Sequence, residues 1–341
     1  MITVSACLIV KNEEKVLARC LDCVQRVADE IIIVDTGSTD RTKEIASQYT
    51  NLIYDFTWVD DFSVARNFSF SKATMDYLYV ADADEIIEEN QIHNFLRLKE
   101  TLLPEIEIVQ MYYCNQLEFN TTYNFDKEYR PKLYKRVREF RFYDPLHEAV
   151  RLEPIIYDSE IEILHKPLSN HAPRDFATYQ KIIARGEQLS DKLRSMYARE
   201  LFIAGEDNDF IDAYAYFSDI TLHTTLGLVE LKQCQCVIAR GARLQQMDHE
   251  FFKVCLKNVA CGEASSEICF ELGEYYRLNG DELEAILWYY NAAFETEAEL
   301  NLHYQGDYPL NQLALCYHSL GKEEDALKYE KLRDEWKAKE R

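Results

Sequence analysis

Ile31-Ile-Ile-Val34-Asp35-Thr36-Gly37-Ser38-Thr39-Asp40 is a short apolar run that stops on an acid and opens into turn residues. Four β-branched residues in succession read as a strand buried on both faces, and the residues behind Asp35 supply a turn and candidate helix N-caps. Towards the N-terminus, Thr3 to Val10 is a second strand-like run. Between the two, Val16, Leu17, Cys20, Val24 and Val27 recur at helical spacing, which completes one βαβ unit. Towards the C-terminus the alternation continues with a helix through Gln48, a strand at Leu52 to Tyr54, a helix from Ser63 to Ala73 and a buried strand from Tyr77 to Ala81. Up to about residue 165 the chain therefore reads as α/β, a mostly parallel sheet with crossover helices.

After about residue 173 the strands stop and paired helices take over. Leu272-Gly273, Tyr276, Gly280, Ala285, Tyr289 and Ala292 fall on the small and large positions of a tetratricopeptide helix pair. A second copy runs through Leu313-Ala314, Tyr317, Gly321 and Ala326. Its Gly321 follows Gly280 by 41 residues against the usual roughly 34, which implies an insertion around Glu297 to Pro309. A weaker copy sits at Leu201, Gly205, Ala213 and Phe217. A plain helical bundle without a groove is the alternative.

Composition narrows the function. The 341 residues predict two domains, and 60 acidic against 38 basic residues, a net charge of −22, repel phosphate backbones and anionic lipid. Nucleic acid is thereby excluded as a main partner. No stretch approaches the roughly 20 apolar residues of a membrane span, and the strand-like run close behind Met1 leaves no room for a signal peptide. The 10 cysteines include one C-x-x-C, Cys20-Leu-Asp-Cys23, without a second pair to complete a zinc site. They read as reduced thiols of a cytoplasmic protein, Cys7 and Cys114 included as packing residues.

Asp35 ends a strand at the carboxyl edge where open α/β sheets hold ligands, and there it can accept from a ribose hydroxyl or base N–H, or serve as a helix N-cap. Tyr77-Leu-Tyr-Val-Ala81 runs straight into Asp82-Ala83-Asp84-Glu85. Read as extended chain, this places Asp82 and Asp84 on one side and Ala83 on the other. Two like charges so close call for a cation or shared protons, and hard oxygen ligands suit Mg²⁺ or Mn²⁺. The other reading is solvated acids in an acidic chain.

Four ordered motifs together resemble glycosyltransferase family 2: Ser5-Ala-Cys-Leu-Ile-Val-Lys-Asn12-Glu13-Glu14, Asp29-Glu-Ile-Ile-Ile-Val-Asp35-Thr-Gly-Ser-Thr-Asp40, Asp61-Phe-Ser-Val-Ala65-Arg66-Asn67 and Asp82-Ala-Asp84-Glu85. The resemblance covers roughly residues 1 to 190. It implies a GT-A (Rossmann-like) nucleotide-sugar-binding domain at 1–190, and the repeat pattern predicts an all-α tetratricopeptide-like helical domain after it at 191–341. It also implies a nucleotide-sugar donor, a divalent metal (Mn²⁺ or Mg²⁺) and inversion at the anomeric carbon. Carried over by residue, Ile9, Lys11 and Glu13 line the nucleoside, Asp35 reads the uracil or ribose, and Arg66 lies near the nucleotide. Asp82 contacts the ribose, with Ala83 beside it in the nucleotide-sugar site, and Asp84 ligates the metal on the diphosphate.

Downstream, Arg130-Pro-Lys132-Leu-Tyr-Lys135-Arg136-Val-Arg138 resembles the family's R-L-F-R segment with Lys standing twice for Arg; a solvated strand face is the alternative. His147-Glu148 resembles an H-E pair whose acid acts as general base, or Glu148 pairs with the Lys132 to Arg138 island. Ile163-Leu-His165 resembles the following strand, whose histidine reaches metal or diphosphate; a hydrogen-bonded core histidine is the other reading, and His171 is a second candidate.

The expectation is a cytoplasmic, metal-dependent, inverting hexosyl- or N-acetylhexosaminyltransferase using a UDP-sugar. Tetratricopeptide-like grooves favour a peptide or protein acceptor, modified on oxygen or sulfur, and leave room for a homo-oligomer through the helical domain. This looks like the bacterial enzymes that glycosylate flagellin or bacteriocin precursors. The rivals are a transferase building lipopolysaccharide core or another surface glycan, and a repeat-based scaffold with an inactive transferase domain.

Overall fold

A computed structural model describes residues 1–114, 127–150, 154–166, 172–260 and 264–336. The chain divides into two compact units, Met1–Asn170 and His171–Arg341. The boundary expected at 190 falls later than this division, because the helix Ala172–Ala184 packs on the helices that follow it.

The first unit is α/β. Its strands are β1 (Val4–Val10), β2 (Glu30–Asp35), β3 (Ile53–Asp55), β4 (Tyr77–Val80), β5 (Glu85–Ile86), β6 (Ile108–Cys114), β7 (Glu128–Lys135), β8 (Phe142–Tyr143), β9 (Ala149–Val150) and β10 (Ile156–His165). Four helices intervene: α1 (Leu17–Val24), α2 (Thr42–Ala46), α3 (Phe62–Lys72) and α4 (Glu89–Thr101). Eight strands form one sheet in the order β3-β2-β1-β4-β7-β6-β10-β5, and β8 pairs with β9 apart from it. β1 is parallel to both β2 and β4, whereas β7 runs antiparallel between β4 and β6.

Both faces of this sheet are covered, which is why its central strands are apolar without alternation. Val4, Ala6, Leu8, Ile31 and Ile33 pack with Leu17, Leu21 and Val24 of α1 and with Ile92 and Phe95 of α4. Cys7, Ile32 and Val34 face the other way, onto Phe70 and Phe142. The chain leaves β1 for β2 on one side, and β4 lies on the other, so the carboxyl ends of β1, β2 and β4 flank a reversal in strand order. Such a reversal opens a crevice at the strand ends.

The second unit is all helical: α5 (Ala172–Ala184), α6 (Asp191–Ala204), α7 (Asp207–His223), α8 (Leu228–Leu244), α9 (Asp248–Ala260), α10 (Ser266–Leu278), α11 (Glu282–Phe294), α12 (Asp307–Ser319) and α13 (Glu323–Glu335). The repeat glycines have separate physical reasons. Gly280 and Gly321 end α10 and α12 at φ +79° and +70°, and in each case two backbone hydrogen bonds close the helix. Asp281 N donates to Tyr276 O and Gly280 N to Arg277 O; Lys322 N and Gly321 N repeat this on Tyr317 and His318. Gly273 instead makes room, since a Cβ there would stand 2.6 Å from the ring of the fully buried Tyr289. The inserted stretch before α12 contains a 3₁₀ turn, Leu302–Gln305. At the weaker copy Gly205 is extended, and α7 begins from a capping box between Glu206 and Asp209.

Among the described residues no helix is long and apolar enough to cross a membrane. The nine described cysteines are free and buried.

Candidate active site

Asp35 is the last residue of β2 and is buried. Its Oδ1 accepts from Gly37 N and Ser38 N, both at 3.0 Å, and Gly37 permits this turn at φ +103°. Oδ2 is buried with no hydrogen-bond partner among the described residues. Asp35 thus caps a turn and not α2, and it keeps one acceptor unmatched, at a site where desolvation makes an unmatched acceptor costly.

The turn after β1 is laced to the turn after β2. Asn12 N donates to Ser38 Oγ at 2.9 Å, Thr39 N to Asn12 Oδ1 at 2.8 Å and Glu13 N to Thr42 Oγ1 at 2.7 Å. Glu14 N donates to Asp40 Oδ2 at 3.2 Å. This lacing leaves Ile9 and Glu13 half-buried and Lys11 exposed at the end of β1. Asp40, among the candidate N-caps of the sequence reading, accepts from Thr42 N at 3.0 Å, whereas the part of Thr42 in this lacing escaped that reading.

Asp82 and Asp84 do not lie in extended chain. β4 ends at Val80, and residues 82–85 form a turn closed by Glu85 N donating to Asp82 O at 3.1 Å. The chain must turn here because Glu85 and Ile86 pair antiparallel with His165 and Leu164 of β10. The two acids take different partners: Asp82 Oδ1 lies 3.4 Å from Arg66 Nη2, and Asp84 Oδ2 lies 3.2 Å from His165 Nε2. Ala83 between them is buried. Burial opposes the charge on Asp82, but Lys132 and Arg66 outweigh it and hold the carboxyl below its ordinary range. Glu85 goes the other way: burial, reinforced by Asp82 and Asp84 and opposed by Lys132, pushes it up to about 7.

Arg66, on α3, is the hub on the opposite flank. Nε and Nη2 donate to Glu148 Oε1 at 3.1 and 3.0 Å. Burial works against the guanidinium charge, yet Glu148 and Asp82 hold it firmly protonated. Its Nη1 is buried without a hydrogen-bond partner among the described residues. The next residue, Asn67, receives from Phe142 N at 2.8 Å and donates to Phe142 O at 2.9 Å, docking the β8–β9 hairpin on α3. The loop of that hairpin carries Glu148, with Asp144 and His147 at φ +75° and +48°. Such left-handed backbone in non-glycine residues stores strain.

The alternative pairing of Glu148 with the basic island is thereby corrected. Lys132 is buried on Glu85, Arg130 pairs with Glu128, Arg138 with Glu107 at 2.8 Å, and Arg136 Nε donates to Met75 O at 2.6 Å. Strand alternation scatters the island's charges among separate partners. His171 lies outside the described residues.

Among the described residues no three His, Cys, Asp or Glu side chains form an all-protein metal cage. Magnesium and manganese in phosphate chemistry need less, since one or two protein ligands and substrate oxygens suffice. Asp84 and His165 fit that donor set. Unmatched Asp35 Oδ2 suits a hydroxyl or N–H donor, and unmatched Arg66 Nη1 suits an anion.

Residues 5–151 match the family described as Glycosyl transferase family 2. Glycosyltransferase SunS, prophage-derived in Bacillus subtilis strain 168, is 26% identical over 225 residues, 62% of this chain and 52% of its own. A TPR repeat-containing protein of Synechococcus elongatus is 47% identical over 85 residues, 25% of this chain and 21% of its own. The lipopolysaccharide core biosynthesis glycosyltransferase LpsC of Rhizobium meliloti is 30% identical over 106 residues, 30% of this chain and 36% of its own. The chain thus spans about half the length, or less, of these curated relatives. A glucosyl-3-phosphoglycerate synthase of Mycobacterium tuberculosis, solved with Mg²⁺ and UDP, aligns over 55% of this chain and 81% of its own at 15% identity and a TM-score of 0.41.

Proposed function

We propose that this chain, which carries a glycosyltransferase family 2 domain at residues 5–151, moves a sugar from a UDP-sugar to a hydroxyl or thiol of a peptide or protein. The observation that carries this reading is the gathering of Asp35, Asp82, Asp84 and Arg66 around the carboxyl ends of β2 and β4, with two buried polar atoms there still unmatched. Asp35 takes the hydrogen-bond donors of the nucleoside, beside Ile9, Lys11 and Glu13. Arg66 meets the nucleotide's negative charge, and Asp82 with Ala83 lies against the ribose.

Asp84 and His165 would hold a divalent cation, Mn²⁺ or Mg²⁺, which would supply positive charge to the departing diphosphate. Glu148 serves as the base. Both Arg66 donors sit on Oε1, so Oε2 is the oxygen that takes the acceptor proton. Displacement from the face opposite the leaving group inverts the anomeric carbon in one step.

The acceptor class is supported by the helical unit. α11 exposes Leu283, Leu287, Tyr290 and Phe294, a stripe on one helix face, in a stretch from 281 to 300 with six acids and no lysine or arginine. An apolar stripe of this kind offers a surface for an extended or helical peptide. The match to LpsC favours a second reading, in which the acceptor is a glycan.

Hydrolysis of UDP-glucose, UDP-N-acetylglucosamine and UDP-galactose, assayed with Mn²⁺ and with EDTA, tests the donor reading. One of the three should turn over only with the cation; none turning over in either buffer overturns it. Sugar transferred to a lipid-linked saccharide but to no peptide substrate would decide for the glycan reading.

A further inference from the structure

β7 and β6 pair through Ile108↔Tyr134 and Val109↔Leu133, and then the register skips to Gln110↔Pro131. Lys132 is the additional residue, a β-bulge. Pro131 has no N–H for a ladder, which makes it a natural place to break one, and a bulge re-aims the side chain it inserts. Here the re-aimed side chain ends buried, with its ammonium on Glu85 Oε1 and 5.2 Å from the ring centroid of Tyr113.

Glu85 is itself 1% exposed, and it occupies the hinge of the cation-binding turn. Its backbone N–H closes that turn on Asp82 O, Asp84 immediately precedes it, and across the β5–β10 pair it stands opposite His165. A contact that fixes Glu85 therefore fixes the approach of Asp84 to His165. The buried ammonium also acts on the charge of Asp82, as Arg66 does.

We infer that Lys132 is a positioning residue of the nucleotide-sugar site, holding the Asp82–Glu85 turn through Glu85 so that Asp84 and His165 present a preformed pair to a divalent cation. The inference rests on the reading of Asp84 and His165 as the cation ligands. The side chain acts through Glu85 and not on the diphosphate.

The full chain bearing Lys132→Met together with Glu85→Gln removes both charges of the buried pair at similar volume, a change that folded proteins tolerate better than loss of one partner. UDP binding is measured calorimetrically with and without Mn²⁺. The wild type should gain affinity on adding the cation. In the double variant that gain should fall fivefold or more, while the thermal melt stays cooperative. A smaller fall overturns the inference. Should the double variant not fold, Lys132→Met alone, which removes the contact to Glu85, is held to the same fivefold criterion. Asp84→Asn is the control: if it too keeps the full Mn²⁺ gain, the ligand reading itself fails, whereas loss of the gain in Asp84→Asn but not in the double variant sinks only the role of Lys132.

Discussion

Arg66 and Glu148 stand 82 residues apart in the chain, yet two guanidinium N–H groups of the one, at 3.1 and 3.0 Å, converge on a single carboxylate oxygen of the other. The pair ties a helix motif, Ala65-Arg66-Asn67, to a strained hairpin loop, and it shares its cation with Asp82.

Glu148→Gln keeps an acceptor for Arg66 and removes the proposed base. Transfer to a hydroxyl should slow by about 10² to 10⁴, with UDP affinity little changed, whereas a thiol acceptor should lose less because part of it is already ionised. Steady-state rates beside calorimetric UDP titration check this. Near-normal turnover with a cooler melt would move the base role to another carboxylate.

Arg66→Met leaves Glu148 buried without its cation. Breaking a buried ion pair from one side costs about 3–5 kcal/mol, and the partial exposure of Asp82 places the expected loss at the lower end of that range. Urea unfolding of variant and wild type measures it. A variant as stable as the wild type would show that solvent already screens the pair.

On the proposed reading, in which Asp84 holds the cation that would meet charge developing as the diphosphate leaves, Asp84→Asn should abolish Mn²⁺- or Mg²⁺-supported turnover, and EDTA should do the same to the wild type. Asp35→Ala, which removes a contact to a spectator part of the donor, should instead weaken UDP binding. Full activity of Asp84→Asn in metal-free buffer would sink the cation assignment.

Glu85 predicts a pH effect on the metal-free protein. Burial raises its carboxyl in the folded state from 4.5 to about 7, so between these values the folded chain holds a proton that the unfolded chain has released. By linkage its contribution to stability falls as pH rises from about 4.5 through about 7 and changes little beyond. Melts of the wild type and Glu85→Gln at pH 5 and pH 8 should show a larger loss in the wild type.

Gly273→Ala places a Cβ 2.6 Å from the Tyr289 ring, which is fully buried and hydrogen-bonded through its hydroxyl to Glu274 at 2.6 Å. Overpacking of this kind costs about 1–3 kcal/mol. The helical unit should melt earlier while UDP binding is retained. An unchanged melt would mean that Tyr289 has room to move.

The amino-acid sequence by itself determined whatever depends on local period and composition. The apolar runs of β1, β2 and β4, the 3.6-residue spacing of α1, and the small and large positions around Gly273, Gly280 and Tyr289 were all legible, because burial on two faces, helix geometry and a left-handed helix end each demand particular residues at particular intervals. The α/β unit followed by a helical one was readable for the same reason. Tertiary structure alone decided how the charges pair. Asp82 and Asp84 take different partners because β5 turns back to meet β10, Glu148 finds Arg66 because Asn67 docks the β8–β9 hairpin, and Lys132 leaves its basic neighbours because one residue is inserted opposite β6. Each outcome hangs on a register set between strands far apart in the chain. A one-residue change in register sends a side chain to the other face of a sheet, and spacing along a single strand carries no record of what stands across from it.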